Sequence, residues 1–260
     1  IWPNGILCLS NYFLENVMLL RTIITHLGRK KNPSFELDPA VKEGVLFGFL
    51  WGKACAWFRG LHFLRAKRSL LLFAGKRVSI SGTSSAKFGK AVQLGNDVSI
   101  TAWGREGLSI GDYSWIGSHS YLKVSFSLND PGKYIRIGHH VGLGEYAHLG
   151  GAGGLEIGDD CIIGPYLSCH PENHRFFDEQ QLIRLQGTER KGIVIGKNCW
   201  IGAKVTILDG VNIGDNCVIA AGAVVTKSMP ANAVVGGMPA RVIKYRTEQS
   251  NTTHQQGCVA

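Results

Sequence analysis

The chain is 260 residues long and weighs 28.3 kDa, enough for one large domain with an appendage and a sizeable core. Lys and Arg number 28 against 19 Asp and Glu, and the excess is local: residues 1–77 hold 12 basic and 4 acidic side chains, residues 78–260 hold 16 and 15. The balanced main body argues against a nucleic-acid partner, and the basic first quarter suits an anionic surface. The seven cysteines, odd in number, scattered and never spaced C-x-x-C, speak against a disulfide framework or zinc ribbon and fit a reducing compartment.

In chain order, the first block covers 1–77. Glu15 and Arg21 interrupt its first apolar stretch, Lys53 and Arg59 its second, so neither reaches the ~18 residues of a membrane span. The opening lacks a basic n-region and a cleavage site, and no signal peptide is assigned. Leu46, Leu50, Ala54, Trp57, Leu61 and Leu64 keep a helical stripe, with Lys53, Arg59, Arg65, Lys67 and Arg68 beside it and Trp51, Trp57, Phe58 and Phe63 interleaved. Residues 1–77 are therefore expected to be a helical segment, with two uses open: capping the first edge of the main body, or lying, through residues 44–77, in the headgroup plane of an anionic leaflet. The expected location is cytoplasmic, with peripheral contact at the inner face of the membrane as the second of those uses.

From residue 94 an aliphatic–glycine pair recurs in steps of six: Ile110-Gly111, Ile116-Gly117, Ile137-Gly138, Leu143-Gly144, Ile157-Gly158, Ile163-Gly164. The longest run is Ile195, Ile201, Ile207, Ile213, Ile219, Val225, with a small or aliphatic residue four places after the first five. Six-residue spacing suits a short strand and a turn repeated around a coil, so that each aliphatic side chain stacks on its counterpart one turn away. The glycine that follows is expected to tolerate a tight or positive-φ corner. Cys161, Cys199 and Cys217 fall on the small position and read as inert core fillers.

The longest break in the hexads is 170–192, opening His170-Pro171-Glu172-Asn173-His174. A loop of that size in a regular solenoid is a candidate site, and shorter insertions at 103–107 and 128–134 are expected near it. An alcohol attacks well only as its proton leaves, and histidine is the side chain matched to that task near neutral pH. His170 and His174 are the candidates, and Glu172, Asp178 and Glu179 stand near enough in sequence to orient one of them. Residues 246–260 are polar and read as a tail.

The hexads, together with Asn198-Cys199-Trp200-Ile201-Gly202-Ala203 and the closing Gly222-Ala223-Val224-Val225-Thr226-Lys227 and Gly236-Gly237-Met238-Pro239-Ala240-Arg241, resemble the hexapeptide-repeat acyltransferases. The likeness is greatest to the galactoside/maltose acetyltransferases and their relatives in surface-polysaccharide biosynthesis, and it covers 78–245. It implies a left-handed parallel β-helix assembled as a homotrimer, with acetyl-CoA as acyl donor, no metal, and a sugar or glycan hydroxyl as acceptor. Counting from Ile163 in the family's register places the base at His174, with His170 second. The resemblance carries over Trp200 beside the pantetheine arm, Gly202 and Ala203 as amide donors to the thioester oxygen, Ala221 and Gly222 against the pantetheine amides, and Thr226, Lys227 and Arg241 around the nucleotide. The family's acceptor-positioning asparagine has no match at Gly144-Glu145-Tyr146, where Glu145 and His148 are the possible replacements.

Three other readings share the scaffold. An antibiotic or amino acid could replace the glycan as acceptor. A γ-type carbonic anhydrase would bind metal through three histidines, for which His139, His140, His170 and His174 are available, although the loop pair is four apart where that family has five. A non-catalytic β-helix would leave the donor motifs without a use.

Overall fold

The computed structural model describes residues 20–29, 33–63 and 71–246. The expectations for 64–70, with Leu64, Arg65, Lys67 and Arg68, and for most of the polar tail lie outside these residues. The chain divides into two compact units between Phe58 and Arg59.

In the first unit residues 20–29 are helical, and a second helix, Glu43–Phe63, begins here and runs across the division. Arg21 donates to the carbonyls of Pro39 (3.1 Å) and Val41, tying the connection down, and Ile24 and Leu46 are buried. Phe47, Trp51 and Phe58 are not: they are 62, 65 and 65 % exposed, and at 3.6 residues per turn they share about 40° of arc. Among the described residues no helix is long and apolar enough to cross a membrane.

The second unit is a parallel β-helix. Successive short strands visit three sheets in turn, of nine, seven and six strands. Trp200 pairs with Val218, eighteen residues and three hexads on, and Ile201 with Ile219. The predicted stack is realised: Ile195, Ile201, Ile207, Ile213, Ile219 and Val225 are all buried, as are Val205, Val211 and the cysteines at the small position. The coil opens at strand Leu72–Ala74, which pairs with Val92–Leu94, earlier than the boundary at 78 drawn from the hexads. The last turn of the second helix belongs to this unit. Arg59 Nε donates to the carbonyls of Ala74 (2.9 Å) and Gly75 (3.1 Å), and a Cβ at Gly60 would lie 1.8 Å from the Leu72 carbonyl oxygen. At the other end Ala233–Gly237 and Ala240–Tyr245 form an antiparallel hairpin on the nine-stranded sheet, occupying an edge that would otherwise be open.

The corners decide between the two roles expected of the hexad glycine. The glycine after each stacking residue does not carry positive φ; that conformation falls two places later, on residues such as Tyr113, His140, Asn198 and Asn216. Asparagine tolerates it better than most side chains, and Asn198 Nδ2 donates to Asn216 Oδ1 of the next coil at 2.8 Å. The hexad glycine is required by close approach instead. A Cβ on Gly117 would lie 2.4 Å from the Glu145 nitrogen, and one on Gly164 2.7 Å from the Ala203 nitrogen. The aspartates after several of these glycines close the same turns: Asp159 Oδ1 accepts from the His139 amide at 2.9 Å, and that bond, with Lys197 beside it, holds the carboxyl below its ordinary range.

The thiols behave as fillers. Cys161, Cys199 and Cys217 donate to the carbonyls of Gly196, Gly214 and Pro230 at 3.2, 3.4 and 3.0 Å. Bonding along this row, with burial, pushes Cys199 up to about 11 and Cys217 higher still, while Cys161 at the row's end is held below its usual value by Cys199. Burial alone raises Cys169. Raised thiols inside an aliphatic core are poor nucleophiles.

Candidate active site

Register locates the irregularity. Ile162 pairs with Trp200, thirty-eight residues on, against eighteen for the following coil, so the intervening coil carries twenty extra residues. They leave after strand Ser168–His170 and return at Ile193–Ile195, on the corner between the seven- and six-stranded sheets. The arm folds on itself: Asn173 and His174 pair antiparallel with Glu189 and Thr188. Gln186 Nε2 donates to the carbonyls of Asp178 and Gln181, both at 2.8 Å. At its return Asp209 Oδ1 accepts from the amides of Lys191 (2.9 Å) and Gly192 (2.8 Å).

The shorter insertions converge here. Arg105 and Glu106 amides donate to Gly132 and Lys133 carbonyls, both at 2.9 Å, and Arg190 bridges Glu172 and Asp130 at 3.0 Å each. Arg190 and Glu172 are mostly shielded from solvent, which makes this pair a stiffer tether than an open surface bridge.

Between arm and coil lies a cleft of about 210 Å³ lined by Phe126, His148, Gly150, Ala152, Cys169, His170, Pro171, Glu172 and His174. Both candidate bases therefore face one cavity, by different means. His170 ends a coil strand whose backbone is in register with Thr206–Leu208, and its Nε2 is 2.7 Å from Ser168 Oγ. His174 sits on the two-residue ladder of the arm. Of the acids proposed to orient the base, Glu172 is engaged by Arg190 and Asp178 accepts from the Gln180 amide at 2.9 Å. The group that holds an imidazole is a serine, which sequence reasoning missed.

His148 joins the cleft and Glu145 does not. Strand His148–Gly150 lies one coil before Ser168–His170, with His148 opposite Ser168. Its ring is stacked at 21° and 5.9 Å from that of His170. Burial, then the neighbouring His170 and Lys123, hold His148 below the ordinary histidine value, so it is neutral at pH 7. His139 and His140 stand at a different corner, after strand Tyr134–Ile137. Among the described residues no three His, Cys, Asp or Glu side chains are grouped to hold a metal.

The donor set lies elsewhere on the surface. Trp200 is on the nine-stranded sheet and 43 % exposed. The Gly202 amide, expected to donate to the thioester oxygen, is already bonded to the Ile219 carbonyl, and the Gly222 amide to the Ala203 carbonyl, both at 2.8 Å. The Ala203 and Ala221 amides have no backbone acceptor among the described residues. Thr226, Lys227 and Arg241 are exposed. Within one chain, none of these residues lines the histidine cleft.

A family profile for the hexapeptide repeat of succinyl-transferase matches residues 192–227. YJL218W of Saccharomyces cerevisiae, a provisionally assigned acetyltransferase, is 40 % identical over 132 residues, 48 % of this chain and 65 % of that protein. Galactoside O-acetyltransferase of Escherichia coli K12 is 33 % identical over 144 residues, 52 % and 63 % of the two chains. WcaF of the same organism, provisionally assigned to colanic acid biosynthesis as an acetyltransferase, is 33 % identical over 135 residues, 51 % and 70 %. The chain thus spans slightly under two thirds of the first two relatives and slightly more of the third. Because the identity extends well past the repeat signature and across most of a relative's length, this chain is a member of the hexapeptide-repeat acyltransferase family.

Proposed function

We propose that the protein is an O-acetyltransferase that moves an acetyl group from acetyl-CoA to a hydroxyl of a sugar or glycan, in the biosynthesis of a surface polysaccharide. The observation that carries this reading is His170: a histidine on a rigid coil strand, held by Ser168 and facing a cleft beside a built arm. The names of the E. coli relatives, a galactoside enzyme and one assigned to colanic acid, support the acceptor class.

Acetyl-CoA supplies the activated acyl group. With Nε2–H donated to Ser168 Oγ, the free lone pair of His170 is on Nδ1, which accepts the acceptor hydroxyl's proton as its oxygen bonds to the acyl carbon. The Ala203 amide is the donor for the negative charge developing on the carbonyl oxygen. As the C–S bond breaks, the imidazolium returns its proton to the thiolate, and the ester and free thiol leave. Because base and donor residues occupy different faces of one chain, we place the complete site between subunits of a homotrimer. Ala221 would bind the pantetheine amides through its own free amide, and Trp200, Thr226, Lys227 and Arg241 would flank the donor. His174, on the less constrained arm, is the alternative base.

The basic, aromatic segment 44–77 we place against an anionic membrane surface, where exposed Phe47, Trp51 and Phe58 enter the headgroup layer and the local charge excess favours binding.

Acetyl-CoA at a hundredfold over its dissociation constant should stabilise the wild type by ~2.7 kcal/mol, and Trp200→Ala should show less. Thiol release with methyl glycosides should fall by about two to four decades in His170→Ala. Full activity in His170→Ala with loss in His174→Ala moves the base to His174; no thermal shift at any concentration sinks acyl transfer.

A further inference from the structure

The coil brings a second imidazole to the base, and its surroundings limit what an acceptor must be. Side chains along His148–Gly150 and Ser168–His170 alternate: Leu149 and Cys169 point into the core, leaving His148, Ser168 and His170 on the outer face. Gly150 contributes no side chain, and a Cβ there would press Pro171 at 3.0 Å, so the floor between the two imidazoles stays open. His170 is bonded to Ser168. The His148 ring is half-buried, and among the described residues its only recorded side-chain contact is the stacking on His170. No buried side-chain nitrogen among the described residues lacks a partner, so the ring nitrogens of His148 open to the solvent of the cleft, where a ligand hydroxyl can take the place of water.

The charge around the cleft selects further. Lys123, on the preceding coil, and His170 both act on His148, and His174 faces the same space. The one carboxylate in the lining, Glu172, is neutralised by Arg190. An ammonium acceptor would meet the Lys123 ammonium close by and no free anion, whereas an uncharged polyol meets hydrogen-bonding groups. A neutral imidazole donates from one nitrogen and accepts at the other, so it accommodates a hydroxyl in either sense.

We propose that His148 is a specificity-determining residue that hydrogen-bonds a second hydroxyl adjacent to the one His170 deprotonates, so that the acceptor is a vicinal diol of a saccharide rather than an amine or an isolated alcohol. Two stacked imidazoles from neighbouring coils, their centroids 5.9 Å apart, meet hydroxyls diverging from adjacent ring carbons one each. The inference rests on the acyl-transfer reading above.

The test follows thiol release by the full chain with acetyl-CoA and the methyl pyranosides of galactose, glucose and mannose, their monodeoxy analogues, propanol and butylamine. In the wild type at least one glycoside is the preferred acceptor, and removing the hydroxyl beside the acetylated one raises KM by about tenfold, the worth of one such hydrogen bond. In His148→Ala the parent glycoside shows a similar rise in KM, with the KM for acetyl-CoA within about twofold of wild type, and the deoxy analogue shows no further loss. His148→Gln, which keeps a donor and an acceptor, recovers part of the affinity. An unchanged acceptor KM in His148→Ala, equal deoxy penalties in both proteins, or faster transfer to butylamine or propanol than to every glycoside overturns the proposal. Thermal stabilisation by acetyl-CoA in each variant establishes folding and donor binding. Its absence in wild type means that acyl transfer itself fails, whereas its presence with a failed diol test removes only the role of His148.

Discussion

Glycine recurs in both units of this molecule for opposite reasons. In the coil, a Cβ on Gly117 or Gly164 would strike the backbone of the next turn at 2.4 or 2.7 Å. In the helix Glu43–Phe63, a Cβ on Gly44, Gly48 or Gly52 would meet nothing within 4 Å. Gly117 and Gly164 are fixed by the coil's own packing; Gly44, Gly48 and Gly52 are not fixed by any contact, although glycine weakens a helix by about 1 kcal/mol relative to alanine. The large side chains divide the same way. The stacking aliphatics of the coil, Ile195 through Val225, are buried to the last few per cent, while Phe47, Trp51 and Phe58 face solvent. One region is satisfied by its own contacts, and the other presents a surface that its own contacts do not explain.

That contrast can be broken by substitution. Gly164→Ala should be the most damaging, lowering stability by about 1–3 kcal/mol because the obstructing atoms are backbone and cannot rotate away; thermal unfolding reads it, and an unchanged melting temperature would mean that the coils are not seated as closely as described. Trp51→Ala should leave unfolding within about 0.5 kcal/mol of wild type yet reduce sedimentation with phosphatidylglycerol vesicles, while neither protein sediments with phosphatidylcholine alone. Equal binding of both proteins, or none by the wild type, removes the membrane surface from this helix. The smallest effect has the opposite sign: Gly48→Ala should stabilise by about 0.5–1 kcal/mol. A loss instead would show that the glycine row packs against something after all.

The fold was legible because the hexad repeats its message in every turn. Ile195 through Val225 specify period, interior and stack at once, and no single substitution disguises them. The site was legible in outline, since a break in so regular a pattern is visible by subtraction. Its two histidines share the cleft, the insertions at 103–107 and 128–134 meet each other through Arg105, and the second meets the arm through Arg190. The details were not. Ser168 and Phe126 belong to unbroken or irregular stretches with no local signal, and which of Glu145 and His148 reaches the site depends on which sheet each outward position falls on. The amide of Gly202 was expected to bind a ligand, and the coil's own ladder uses it.

The sequence by itself determined the repeat, the solenoid it builds, the inert cysteines and the location of the arm, because each follows from periodicity along one chain. Only the tertiary structure decided why the hexad glycines are there, which group holds His170, that His148 stands beside it, and that donor residues and histidine cleft occupy different faces. Those facts depend on residues eighteen to thirty-eight positions apart being stacked in register, and lateral contact between coils leaves no trace in the local pattern of either.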